Sequence, residues 1–85
     1  MNNTITQEIV DTIYNNSQIY IKTLFDKMTL VSIRLPNGFC ITESSACVDP
    51  ENFSMDVGYK ICEDRIKNKI WELEGYRLQC EISSK

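Results

Sequence analysis

Two apolar runs separated by Pro36-Asn37-Gly38 constrain this chain more than any other feature. Met28 to Leu35 carries Leu30, Val31, Ile33 and Leu35, and Phe39 to Thr42 continues with Cys40 and Ile41. Residues of this kind predict two strands, and the Asn-Gly between them tolerates the positive φ that a type I′ hairpin turn requires. Ile19 to Phe25 is again β-branched and aromatic and joins the pair through Asp26-Lys27. A short helix is the other option there, but the simplest arrangement is a three-stranded antiparallel meander. Such a sheet needs a cover for its apolar face.

The flanking segments supply helices. Thr4-Ile5-Thr6-Gln7 fits a capping box, and Ile9, Val10, Ile13 and Tyr14 recur at helical spacing, so a first helix is expected from about Thr6 to Asn15. Asn15-Asn16-Ser17 then breaks it. Asp49-Pro50-Glu51-Asn52 interrupts the sheet, and Ser54 can cap a long helix whose stripe is Val57, Ile61, Ile66, Ile70 and Leu73, widened by Tyr59, Cys62 and Trp71. Gly75 can end that helix, leaving Tyr76, Leu78, Cys80 and Ile82 to alternate as a strand; continued helix fits equally. The fold class is α+β: a small antiparallel sheet of three or four strands covered by one long helix, with an N-terminal helix. One domain spans 1–85, with residues 1–16 a helical appendage and 17–85 the sheet and its covering helix.

Composition narrows function by exclusion. A core built from 85 residues is small, and the aromatics outside the helix stripe leave surface for another subunit, so a homo-oligomer, dimer or higher, is expected. Net charge of −3 disfavours duplex nucleic acid as a partner. No apolar run is long enough to span a bilayer, and the Met1-Asn2-Asn3-Thr4 start has no basic or apolar leader pattern. Histidine is absent, which removes Ser-His-Asp and Cys-His catalysis, and no glycine-rich phosphate loop is present. An enzyme is not expected, and no cofactor or metal site is called for. Cys40, Cys47, Cys62 and Cys80 lack C-x-x-C spacing and sit among apolar residues, which predicts structural free thiols. Lys60, Arg65, Lys67 and Lys69 form either a cationic face for a phosphorylated ligand or a solvated helix face supported by a Glu63–Lys67 pair.

Three segments in order carry a resemblance: Leu35-Pro36-Asn37-Gly38-Phe39, Ala46-Cys47-Val48-Asp49-Pro50-Glu51-Asn52-Phe53 and Ile70-Trp71-Glu72-Leu73-Glu74-Gly75-Tyr76. Together they resemble a family of small proteins encoded by tailed phages and prophages, over about Phe25 to Tyr76. Anti-defence sponge proteins that sequester the cyclic ADP-ribose signal of the Thoeris system, some of which also hold cyclic oligonucleotides, look related to that family. The resemblance implies a phage protein of the host cytoplasm that binds a small nucleotide signal without cleaving it.

Such a ligand asks for an aromatic face, cations for its pyrophosphate and short polar groups for ribose. Phe39 or Phe53 can stack a base, Thr42 and Asn52 can bond ribose or base edges, and Arg34, Arg65, Lys69 or Arg77 can meet the phosphates. Simpler roles compete: Phe53 as the staple at the start of the long helix, Phe39 as core, Asp49 and Asn52 as loop-closing side chains, Trp71 as a core or interface anchor. A phage accessory inhibitor acting by protein contact, such as an anti-CRISPR with an acidic surface in a nucleic-acid channel, is the alternative. A structural phage protein is less attractive, since no repeat or extended coiled segment is present.

Overall fold

The computed structural model describes residues 4–84; residues 1–3 and Lys85, the outer ends of the 1–85 domain, lie outside the described residues. Helix α1 spans Gln7–Asn15 and is capped by Thr6, whose hydroxyl accepts the Ile9 N–H at 3.3 Å, and not by the expected Thr4–Gln7 box, since the Gln7 amide donates to Asp11 instead. Strands β1 (Gln18–Leu24), β2 (Met28–Arg34) and β3 (Cys40–Ala46) follow, then a single 3₁₀ turn at Pro50–Asn52 and helix α2, Met55–Ser83. The sheet is the expected antiparallel meander in the order β1-β2-β3. Ile21 pairs with Val31 and Val31 with Glu43, so Thr29, Val31 and Ile33 of the central strand share one face with Ile19, Ile21 and Thr23 on one side and Ile41, Glu43 and Ser45 on the other.

Helix α2 packs over β2 and β3. Its buried stripe is Gly58, Cys62, Ile66 and Ile70, one turn apart. The stripe therefore begins one residue later than the Val57–Ile61 spacing predicts: Val57 is exposed and Ile61 half-buried. The shift has a steric cause, because only a glycine lets the helix backbone approach fully buried Thr29. Val10 and Tyr14 of α1 complete the core together with Leu35 and Ile41. The Tyr14 and Tyr59 hydroxyls meet at 2.6 Å, which satisfies the polar end of a buried ring.

The hairpin turns differ from the sequence expectation. Pro36 occupies the first central position of the Leu35–Gly38 turn and holds φ near −65°, which a type I′ turn forbids. Asn37 keeps a negative φ, and the positive value of 95° falls on Gly38. Gly38 N–H donates to the Leu35 carbonyl and Leu35 N–H to the Phe39 carbonyl, both at 2.8 Å. The connection is thus a type I turn followed by a glycine bulge, the usual three-residue hairpin loop. Paired positive φ values occur instead at Phe25 (54°) and Asp26 (55°) in the β1–β2 turn, closed by Lys27 N–H on the Leu24 carbonyl at 3.2 Å.

Among the described residues, no fourth strand forms after Gly75. The chain continues as α2 through Ser83, for a length of about 44 Å at 1.5 Å per residue. Arg77 bridges the glycine turn, reaching Glu74 at 3.2 Å and Glu81 at 2.8 Å, and such i,i+3 and i,i+4 pairs offset part of the propensity lost at Gly75. Seven-residue strands span only about 23 Å, so the last turns of α2 overhang the sheet. The molecule measures 54 × 19 × 18 Å.

Candidate functional site

The overhang creates a corner at the loop end of the sheet. The Leu35–Phe39 loop, the end of α1 and the second half of α2 enclose a groove of about 370 Å³. Ile13, Leu35, Pro36, Phe39, Ile70 and Leu73 form its apolar wall, with Arg77 and Glu74 at the rim. Around Phe39 lies a second groove of about 320 Å³, lined by Ile41, Thr42, Lys69, Glu72 and Leu73. Phe39 borders both and is 52 % exposed, so it is not core. A ring half in solvent beside aliphatic side chains is a surface on which a planar ligand can stack.

Two of the residues nominated from sequence therefore come together, Phe39 and Lys69, with Arg77 across Leu73 in the adjoining groove; Thr42 borders the groove only at the strand edge, its hydroxyl meeting that of Ser32 at 2.9 Å on the outer sheet face. Arg34 borders the same loop from its other side, in a shallow depression with Asn16, Gln18 and Pro36, and its guanidinium bonds the Gln18 side-chain oxygen. Arg65 lies away from these grooves, donating to the Ser44 carbonyl at 2.8 Å. Asn52 is at the opposite end of the sheet, in a small groove with Lys27, Cys47, Phe53 and Val57. There Asp49 caps the 3₁₀ turn by accepting the Glu51 N–H at 3.0 Å, and half-buried Phe53 immediately precedes the Ser54 cap of α2.

The cations near the loop end already have partners. Lys69 meets Glu43 at 3.1 Å. The side chains of Glu74, first, and Glu81 raise Arg77 above its usual range. Within the Lys60–Lys69 segment the helix-support reading describes what is seen: Lys67 joins Glu63 at 3.5 Å and Asp11 at 3.1 Å and lies 5.0 Å from the Tyr14 ring centre, while Lys60 joins Glu63 and Asp64. Hydrogen bonds from Gln7 and Lys67 hold the Asp11 carboxyl below the usual range. Glu43 is the site residue that the sequence reading passed over. It shares strand parity with inward-facing Ile41, and a carboxylate at such a position calls for a cation from the covering helix.

All four cysteines are free. Only Cys62 fits the description of a small buried hydrophobe, and burial pushes its thiol up; Cys40 and Cys80 are exposed because they fall on the outer sheet face and on the overhanging helix. Among the described residues, no helix is long and apolar enough to cross a membrane.

Fold and corner together define a small α+β protein in which a three-stranded meander carries one overlong helix and an open, aromatic-edged groove. The chain belongs to the phage protein family described as N4 Gp49/phage Sf6 gene 66, whose model matches residues 1–82. No curated protein and no solved structure matches it.

Proposed function

We propose that this phage protein is an anti-defence sponge that binds a cyclic ADP-ribose-type signal and holds it without cleaving it. The observation that carries the reading is the convergence of Phe39, Lys69 and Arg77 on two adjoining grooves at one corner. Phe39 offers a face for adenine, and the two cations a destination for a pyrophosphate. Binding in this corner is an exchange: the phosphates take the place of Glu43 on Lys69 and of Glu74 and Glu81 on Arg77. Cyclic oligonucleotide signals present the same chemical groups and are the second ligand class. The test is incubation of the purified protein with cyclic ADP-ribose, removal of free ligand, and heat denaturation. Recovery of the intact compound from the denatured sample is expected; a folded protein that retains none overturns the proposal.

A second reading, an accessory inhibitor that acts by protein contact, draws on the other end of the sheet. Phe25 and Val48 project there almost fully into solvent, and exposed apolar side chains of this kind suit a protein partner. Capture of one defined host protein, lost on Phe25→Ser with Val48→Ser, distinguishes it from the sponge.

A further inference from the structure

The two edges of the sheet are built differently. Along β3, Arg65 covers the Ser44 carbonyl, Lys69 holds Glu43, and Thr42, Ser44 and Ser45 give a polar margin. Along β1 nothing comparable is present among the described residues. From Gln18 to Thr23 every residue is exposed, and the pairing with β2 runs without a bulge. Ile19 and Ile21 are 39 % and 43 % exposed although their register puts them on the face that elsewhere forms the core, and Tyr20 on the other face is 60 % exposed. Folded proteins cover or pair an apolar, β-branched edge with no proline, bulge or guarding charge pair, because its free N–H and C=O groups otherwise recruit strands at random.

We propose that β1 pairs antiparallel with β1 of a second copy about a two-fold axis through Ile21, so that two sheets become one. Ile21 is the midpoint of the seven-residue strand, and centring there leaves no residue of Gln18–Leu24 unpaired. Ile21 then faces the partner's Ile21, and Ile19 faces the partner's Thr23. On the outer face, Tyr20 meets the partner's Lys22, which places the strand's one charge against a ring and away from its own copy. A two-fold axis normal to the sheet keeps both helical layers on the same side. The half-exposed isoleucines of both copies therefore merge beneath one pair of helical layers. The strand sequence is its own complement, which is what an isologous interface requires and what an unrelated extended peptide does not explain.

The full chain tests this by native mass spectrometry and sedimentation at micromolar concentration, where an even-numbered assembly is expected. Ile19→Lys with Ile21→Lys places two charges on the joint core face. It is expected to yield half-size particles that keep the parent's circular dichroism. A second measurement does not depend on those substitutions being tolerated. In a Cys40→Ser, Cys80→Ser background, Ile21→Cys is expected to form a disulfide-linked dimer under mild oxidation, because directly opposed residues have Cβ atoms about 4.5–5.5 Å apart. Ile19→Cys is expected not to, since its copies stand about 13 Å apart along the strands. A monomeric parent, an assembly unchanged by the paired lysines, or equal cross-linking at both positions overturns the proposal. Ligand retention is read separately and bears on neither outcome.

Discussion

A Cβ built on Gly58 would stand 2.3 Å from the Thr29 hydroxyl oxygen and 2.9 Å from its Cβ. Thr29 is the fully buried polar residue of the central strand, and Gly58 is the first residue of the α2 stripe that packs on it. Helix and sheet are therefore in backbone-to-side-chain contact at this point, with no room for a methyl group.

Gly58→Ala is expected to lower stability by about 1–3 kcal/mol, the usual range for overpacking a core. Gly75→Ala is expected to do the reverse, raising stability by about 0.8–1 kcal/mol, since nothing lies within 4 Å of its Cβ position and alanine is the better helix former. Urea midpoints of the two variants measured side by side decide both signs.

Phe25 is 83 % exposed and sits at φ 54°, where a bulky side chain costs roughly 1–2 kcal/mol. Phe25→Asn is expected to recover about 0.5–1 kcal/mol, because asparagine tolerates the left-handed region. Thermal melting at low protein concentration reports it, and a lowered midpoint refutes it.

Stability is expected to fall on the alkaline side in two stages. Burial raises the Cys62 thiol, and burial first, then the Tyr59 hydrogen bond, raises the Tyr14 phenol well above its ordinary value. For a raised group, stability is fully present below the unfolded value and is lost as pH climbs from there toward the folded one. Loss therefore begins near pH ~8.5 for the thiol and steepens past ~10 for the phenol. Cys62→Ala is expected to flatten the first stage and Tyr14→Phe the second, as read by denaturant midpoints between pH 7 and 11. Asp11 works in the opposite direction: its lowered carboxyl contributes above the unfolded value of ~3.9, and the contribution is lost on further acidification.

If Phe39 stacks a base, Phe39→Ala is expected to weaken cyclic ADP-ribose binding about tenfold or more, in line with roughly 1–3 kcal/mol for base–aromatic stacking. Lys69→Gln and Arg77→Gln are each expected to weaken it severalfold, with the parent's affinity falling as salt is raised. Isothermal titration of the three variants checks the set. Unchanged affinity in Phe39→Ala removes the corner as the binding site.

Much of the architecture was legible in the chain. Apolar runs of strand length, the Ser54 cap and the breaks at Asn16 and Pro50 are local signals, so they predict α1, three strands and the start of α2. The turn type is written in the chain as well, because Pro36 at the first central position cannot adopt the positive φ of a type I′ turn. The candidate site was less so. Phe39, Lys69 and Arg77 are separated by up to 38 positions along the chain, and only the crossing of α2 over β3 brings them to one corner.

By itself, then, the sequence determined the first helix, the two strands flanking Pro36-Asn37-Gly38 and the start of the long helix, because backbone preference and capping act within a few residues. Tertiary structure decided the rest. Whether the segment after Gly75 became strand or helix depended on there being a sheet edge within reach, and α2 had already carried it past the sheet. The helix stripe moved onto Gly58 because Thr29 stood beneath it. The hairpin block at Pro36–Phe39 became a groove wall because an overlong helix happened to pass behind it. Each of these outcomes is a contact between distant residues, and such contacts leave no mark on local propensity.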